Sequence, residues 1–106
     1  MFRGTTPTLT YKLNTDIDLT DIVQIWVTLS DGVNQITKDI NDVIIDNVEH
    51  TVQVKLSQED TLLLNGGSKA KTQIRLLDGN DNAYASSIKE VMLNSILKDG
   101  VIANDN

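Results

Sequence analysis

Hydrophobic and polar residues alternate along most of this chain, in short blocks separated by Asn, Asp and Gly. A period of two puts successive side chains on opposite faces of a pleated strand, so each block predicts a strand with one buried face. The clearest is Ile22 to Ser30, with Val23, Ile25, Val27 and Leu29 on one face and Gln24, Trp26, Thr28 and Ser30 on the other. Thr8 to Leu13 behaves alike through Leu9, Tyr11 and Leu13, and His50 to Leu56 through Val52, Val54 and Leu56. Lys69 to Leu77 turns Ala70, Thr72, Ile74 and Leu76 inward. A more polar strand is expected from Val33 to Ile40, near a sheet edge and anchored by Ile36 and Ile40, and a short one from Val43 to Asp46. The last strand runs from about Ala83 to Leu93, with a bulge near Lys89-Glu90 where the apolar period slips by one.

The punctuation between blocks is equally specific. Asp31-Gly32 reads as a two-residue hairpin, because both central residues of a type I′ turn need positive φ. Ser57 is placed to cap a helical turn whose positive end suits Glu59 and Asp60. Leu62, Leu63 and Leu64 complete that turn, and Asn65-Gly66-Gly67 stop it. The C-terminal NSILKDGVIANDN ends in polar residues and is expected to fray. The expectation is an all-β fold: an immunoglobulin-like or fibronectin-like β-sandwich of about seven antiparallel strands with one short helical turn. It comprises a single domain over 1–106, with an extended N-terminal arm and a short polar tail.

Composition narrows function mainly by exclusion. The 106 residues are 40% hydrophobic and 23% charged, as in an ordinary globular domain. With no cysteine there is no disulfide scaffold and no thiol chemistry. A net charge of −6 opposes binding to phosphate backbones or anionic membranes, so neither nucleic acid nor membrane is an expected partner. Lys69, Lys71 and Arg75 share a strand face, read as an ordinary solvated one. No aliphatic run is long enough to span a bilayer, and the start MFRGTTPTLT has no apolar core of a signal peptide.

Candidate chemistry is sparse. The lone histidine, His50, reads as a polar residue at a strand end, with no second histidine or cysteine to complete nucleophilic machinery. Asp16, Asp18 and Asp21 crowd one loop, and Asp78, Asn80, Asp81 and Asn82 another. The second begins like a calcium loop, but Ala83 stands where glycine is needed and Lys89 where a bidentate glutamate belongs. Turn formation by Asx side chains is the plainer reading of both. Gly66, Gly67 and Lys69 lack phosphate-loop spacing. The expectation is therefore no enzyme, no metal, no cofactor and no small-molecule substrate. Trp26 is the odd residue: an indole among Gln24, Thr28 and Ser30, opposite the aliphatic face. Cover by a loop or by the arm with Phe2 is the plainer reading, and contact with another protein the alternative.

Both ends and two internal stretches carry a resemblance. Arg3-Gly4-Thr5-Thr6-Pro7-Thr8, the run Val52 to Leu62 (VQVKLSQEDTL), Gln73-Ile74-Arg75-Leu76-Leu77, and Ile96 to Ile102 (ILKDGVI) resemble short proteins encoded by phages and prophages of Gram-positive bacteria. Those are similar to the immunoglobulin-like N-terminal domains of phage baseplate upper proteins. The resemblance implies a β-sandwich made in the bacterial cytoplasm and incorporated in the virion, as a tail or baseplate part contacting other virion proteins or copies of itself. It carries no catalytic motif. The alternative is a small phage-encoded binding or inhibitor protein that captures a host protein. The candidate contact residues are Phe2, Arg3, Thr5 and Pro7 in the arm, with Gln24, Trp26 and Thr28 on the strand face. The arm, together with the tail from Ile96 to Ile102, either pairs with a neighbour by strand addition or forms the first strand of its own sheet.

Overall fold

Two antiparallel sheets make up the computed structural model, which describes residues 1–65 and 67–104. In chain order the elements are β1 (Thr8–Lys12), β2 (Ile22–Ser30), β3 (Gln35–Lys38), β4 (Val43–Asp46), β5 (Thr51–Lys55), α1 (Gln58–Leu63), β6 (Lys69–Asp78), β7 (Ala83–Ala85) and β8 (Lys89–Met92). Sheet one has the order β1-β5-β4. Sheet two runs β3-β2-β6, and β7 and β8 share the remaining side of β6. Taken as strands B to F with β7–β8 as G, this is the B-E-D and C′-C-F-G arrangement of an immunoglobulin-like sandwich. The place of a first strand is filled only where Phe2 bridges Asn94 in parallel, beyond the end of β8.

The alternating residues meet as the sequence requires. In sheet two, Ile25 lies opposite Leu76 and Val27 opposite Ile74, all inward and buried. In sheet one, Val52 and Val54 on β5 are buried between the inner faces of β1 and β4. Leu56, Leu64 and Leu93 close the end near α1. Burying an aliphatic side chain of this size contributes about 1.5–3 kcal/mol, so these few positions carry much of the fold. One polar link joins the layers: the Tyr11 hydroxyl and Thr72 Oγ1 are 2.6 Å apart, and Thr72 Oγ1 donates to the Thr28 carbonyl at 2.9 Å. Burial pushes the Tyr11 phenol above its usual pKa, with the Thr72 hydrogen bond offsetting part of the rise.

Local departures from the expected pattern have physical causes. The β2 register shifts between Ile22 and Gln24, so Ile22 is buried and Val23, expected inward, is exposed. The hairpin after β2 is not a two-residue turn. Asp31 accepts from the amides of Val33 and Asn34, making a four-residue loop in which only Gly32 has positive φ (94°). That loop consumes Val33, and a short 3-10 turn (Ile40–Asp42) takes Ile40, trimming β3 at both ends.

Seven strands become eight because the last one breaks at Ser86–Ile88, ahead of the expected bulge at Lys89-Glu90. Ser86 Oγ accepts from the Ile74 amide at 3.1 Å, in place of a backbone carbonyl, while the Ser86 amide still reaches the Ile74 carbonyl. Helix α1 has the expected Ser57 cap, closed reciprocally by Asp60. It ends at Leu64 in extended backbone, before the glycines; Gly66 lies outside the described residues. The tail is tied down at Ile102, where Gln58 exchanges two hydrogen bonds with the backbone. The final Asp105 and Asn106 lie outside the described residues.

Ile25→Ala leaves a void between the layers that relaxation fills only in part, and is expected to cost about 2–5 kcal/mol in urea denaturation. The carboxyls of Asp31 and Asp78 are held below the usual range, first by the backbone amides of Asn34 and Asn82 respectively. A depressed carboxyl stabilises the fold above its unfolded pKa of about 3.9 and loses that stabilisation as pH falls through its folded value. The thermal midpoint should thus stay level from about pH 7 to 5, then drop below about pH 4. Asp31→Asn should flatten that drop.

Candidate protein-contact surface

The ladder that buries Ile25 and Val27 forces the intervening side chains outward. Trp26 stands opposite Arg75, Thr28 opposite Gln73, Ser30 opposite Lys71, and Gln24 opposite Leu77. Among the described residues no loop covers this face at its centre: Trp26 is 48% exposed. The cover by Phe2 expected from the sequence does not form, because Phe2 is held beside Asn94 and is itself exposed. The Arg75 guanidinium instead lies over the indole, 5.4 Å from its centroid. A cation over an exposed ring is worth about 0.5–1 kcal/mol, enough to favour this orientation of the indole a few-fold over others.

Shallow depressions lie along the strands on either side of that pair. One, about 160 Å³, is framed by Gln24, Trp26, Arg75, Leu77 and Ala83. The other, about 260 Å³, is framed by Thr28, Ser30, Lys71, Gln73 and the exposed Ile88. Lys69, Lys71 and Arg75 share this face, where Glu90 pairs with Lys69 at 3.4 Å. A chain with net charge −6 thus presents a cationic face around its only tryptophan. Gln24 contributes less than its position suggests, since its side-chain oxygen accepts from the amides of Ile25 and Ile40.

The arm half of the candidate set lies elsewhere and makes internal bonds. Arg3 donates through Nε to the Leu64 carbonyl at 2.6 Å and through Nη2 to Leu62 at 2.8 Å, capping the carbonyl end of α1. Its other nitrogen meets Asp99 at 3.2 Å. The Thr5 carbonyl accepts from the Thr61 hydroxyl and the Pro7 carbonyl from the Leu56 amide. Strand parity was the signal for Trp26. Arg75 was legible as its neighbour only once β2 and β6 were paired.

The acidic loops and the histidine resolve into local structure. Asp78 accepts from the amides of Asn80 and Asn82, the Asn82 side chain and the Tyr84 hydroxyl. Asp18 caps the 3-10 turn over Leu19–Asp21. Among the described residues, no group of three or more His, Asp or Glu side chains is placed to hold a metal ion. His50 sits in a left-handed turn (φ 59°), and its Nε2 is buried without a hydrogen-bond partner. No hydroxyl is hydrogen-bonded to it among the described residues. No helix among the described residues is long and apolar enough to cross a membrane.

Because Trp26 is the single tryptophan, its fluorescence reports this face alone. Acrylamide should quench it readily in the folded protein, and Phe2→Ala should leave the quenching unchanged. A quencher-resistant, blue-shifted emission would mean that the indole is covered.

No protein-family model matches this chain, and no curated protein is found to be similar to it.

Proposed function

We propose that this protein is a non-enzymatic structural component of a phage particle, in the tail or baseplate, acting through protein–protein contacts. The observation that carries the reading is the Trp26–Arg75 pair at the centre of an uncovered sheet face. Tryptophan and arginine are the residues most enriched at energetic centres of interfaces, because each combines a large apolar area with polar groups. An acidic virion protein suits this face, since Lys71 and Arg75 are free of ion pairs with carboxylates among the described residues. The resemblance of Arg3–Thr8, Val52–Leu62, Gln73–Leu77 and Ile96–Ile102 to phage-encoded proteins supports the particle as the setting. The chemistry of the chain favours a scaffold: Asx side chains closing turns, and an isolated histidine.

Mass spectrometry of purified particles tests the reading, with the protein expected among the virion components. Trp26→Ala combined with Arg75→Glu should lower incorporation about tenfold or more while the thermal midpoint shifts little. A protein absent from particles but recovered with a host protein from infected cells would replace this reading with capture of a host target.

A further inference from the structure

The unused backbone of β1 carries an inference independent of the Trp26 face. Among the described residues β1 pairs only with β5, so one of its edges has no neighbouring strand there. The bonds from the Leu13 amide to the His50 carbonyl and from the Leu56 amide to the Pro7 carbonyl fix which groups face which way. Antiparallel bonding alternates, so Leu9, Tyr11 and Leu13 bond β5, and the amides and carbonyls of Thr8, Thr10 and Lys12 point away. Beside this edge lies a groove of about 440 Å³ between the two sheets, floored by Leu9, Tyr11 and Ile74 and rimmed on the far side by β8. It is the position of the missing first strand, which the arm fills only at Phe2.

We propose that two copies of this chain pair their β1 strands antiparallel across a dyad at Thr10, joining the three-stranded sheets into one of six strands. The edge is self-complementary. With Thr10 opposite its own symmetry mate, Thr8 faces Lys12 of the other copy, and each of the three exchanges both backbone bonds with its opposite. No other register uses all three residues. The charge arrangement agrees: each Lys12 meets an uncharged Thr8, so no like charges stand opposite one another. Leu9 then stands opposite Tyr11 of the second copy on the groove side, an aliphatic–aromatic cross-strand pair that covers two half-buried side chains. The contact belongs to the small class of interfaces, so association is expected at micromolar concentrations.

Light scattering between about 1 and 300 μM should show the mass rising from 11.7 kDa towards a dimer. Thr10→Pro removes only an outward amide, which an edge strand tolerates, and should stay monomeric with an unchanged circular dichroism spectrum. Thr10→Cys gives a second reading that does not depend on that variant folding. Directly opposed residues with Cα atoms about 5.5 Å apart are within disulfide reach, and this chain has no other cysteine. Mild oxidation should link Thr10→Cys into dimers while leaving Thr37→Cys, on the distant edge strand β3, largely unlinked. A wild-type chain monomeric throughout, a Thr10→Pro variant dimerising like wild type, or equal linking of both cysteine variants would each overturn the proposal. None of these outcomes depends on incorporation into particles.

Discussion

The pairing of β2 with β6 is the constraint from which the other features follow. It is the longest ladder in the molecule, from Ile22–Asp78 to Ser30–Lys71, and it lies inside sheet two with neighbours on both sides. Its register decides every facing: Ile25, Val27, Ile74 and Leu76 go in, and Trp26 and Arg75 must go out together. A slip of one residue would reverse both sets. The bulge at Ile22/Gln24 shows how this is enforced. The ladder tolerates an extra residue at its end, exposing Val23, and keeps its central register.

Much of the fold was legible because burial on one face writes a period of two into the sequence. β1, β2, β4, β5 and β6 match their blocks to within a residue or two, as does α1 with its Ser57 cap. The misses occur where side chains substitute for backbone. Asp31 reorganised the hairpin, Ser86 entered the β6 ladder, and Gln24 satisfied two amides. The bonds from Ser86 to Ile74 and from Gln24 to Ile40 depend on which backbone groups are left over after tertiary pairing, information that no local pattern carries.

The candidate surface divided along the same line. Trp26 was legible through parity alone. Its partner Arg75 is far away in sequence and became meaningful only through the strand pairing. The arm read as sticky because it is extended and lies outside the clear alternation. Its polar groups close the carbonyl end of α1 and the end of β5's ladder instead, a use set by where the helix ends. The unsatisfied groups are one step further along, on the outer edge of β1. Edges are invisible to periodicity, since an edge strand and a central strand with one solvated face alternate identically.

The edge and the sheet face reinforce one another geometrically. An antiparallel pairing has its two-fold axis perpendicular to the sheet, so both copies keep their sheet-two layer on the same side. Two Trp26–Arg75 faces would then point towards a common partner, held side by side by the paired β1 strands. A single exposed patch of this size binds weakly. Two fixed patches make the second contact intramolecular, which raises avidity without adding any new kind of contact. For a domain with so few aromatic residues, duplication through a backbone edge is a physically economical way to strengthen a small docking face. It needs no side-chain specificity at the edge itself, leaving selectivity to Trp26, Arg75 and Lys71.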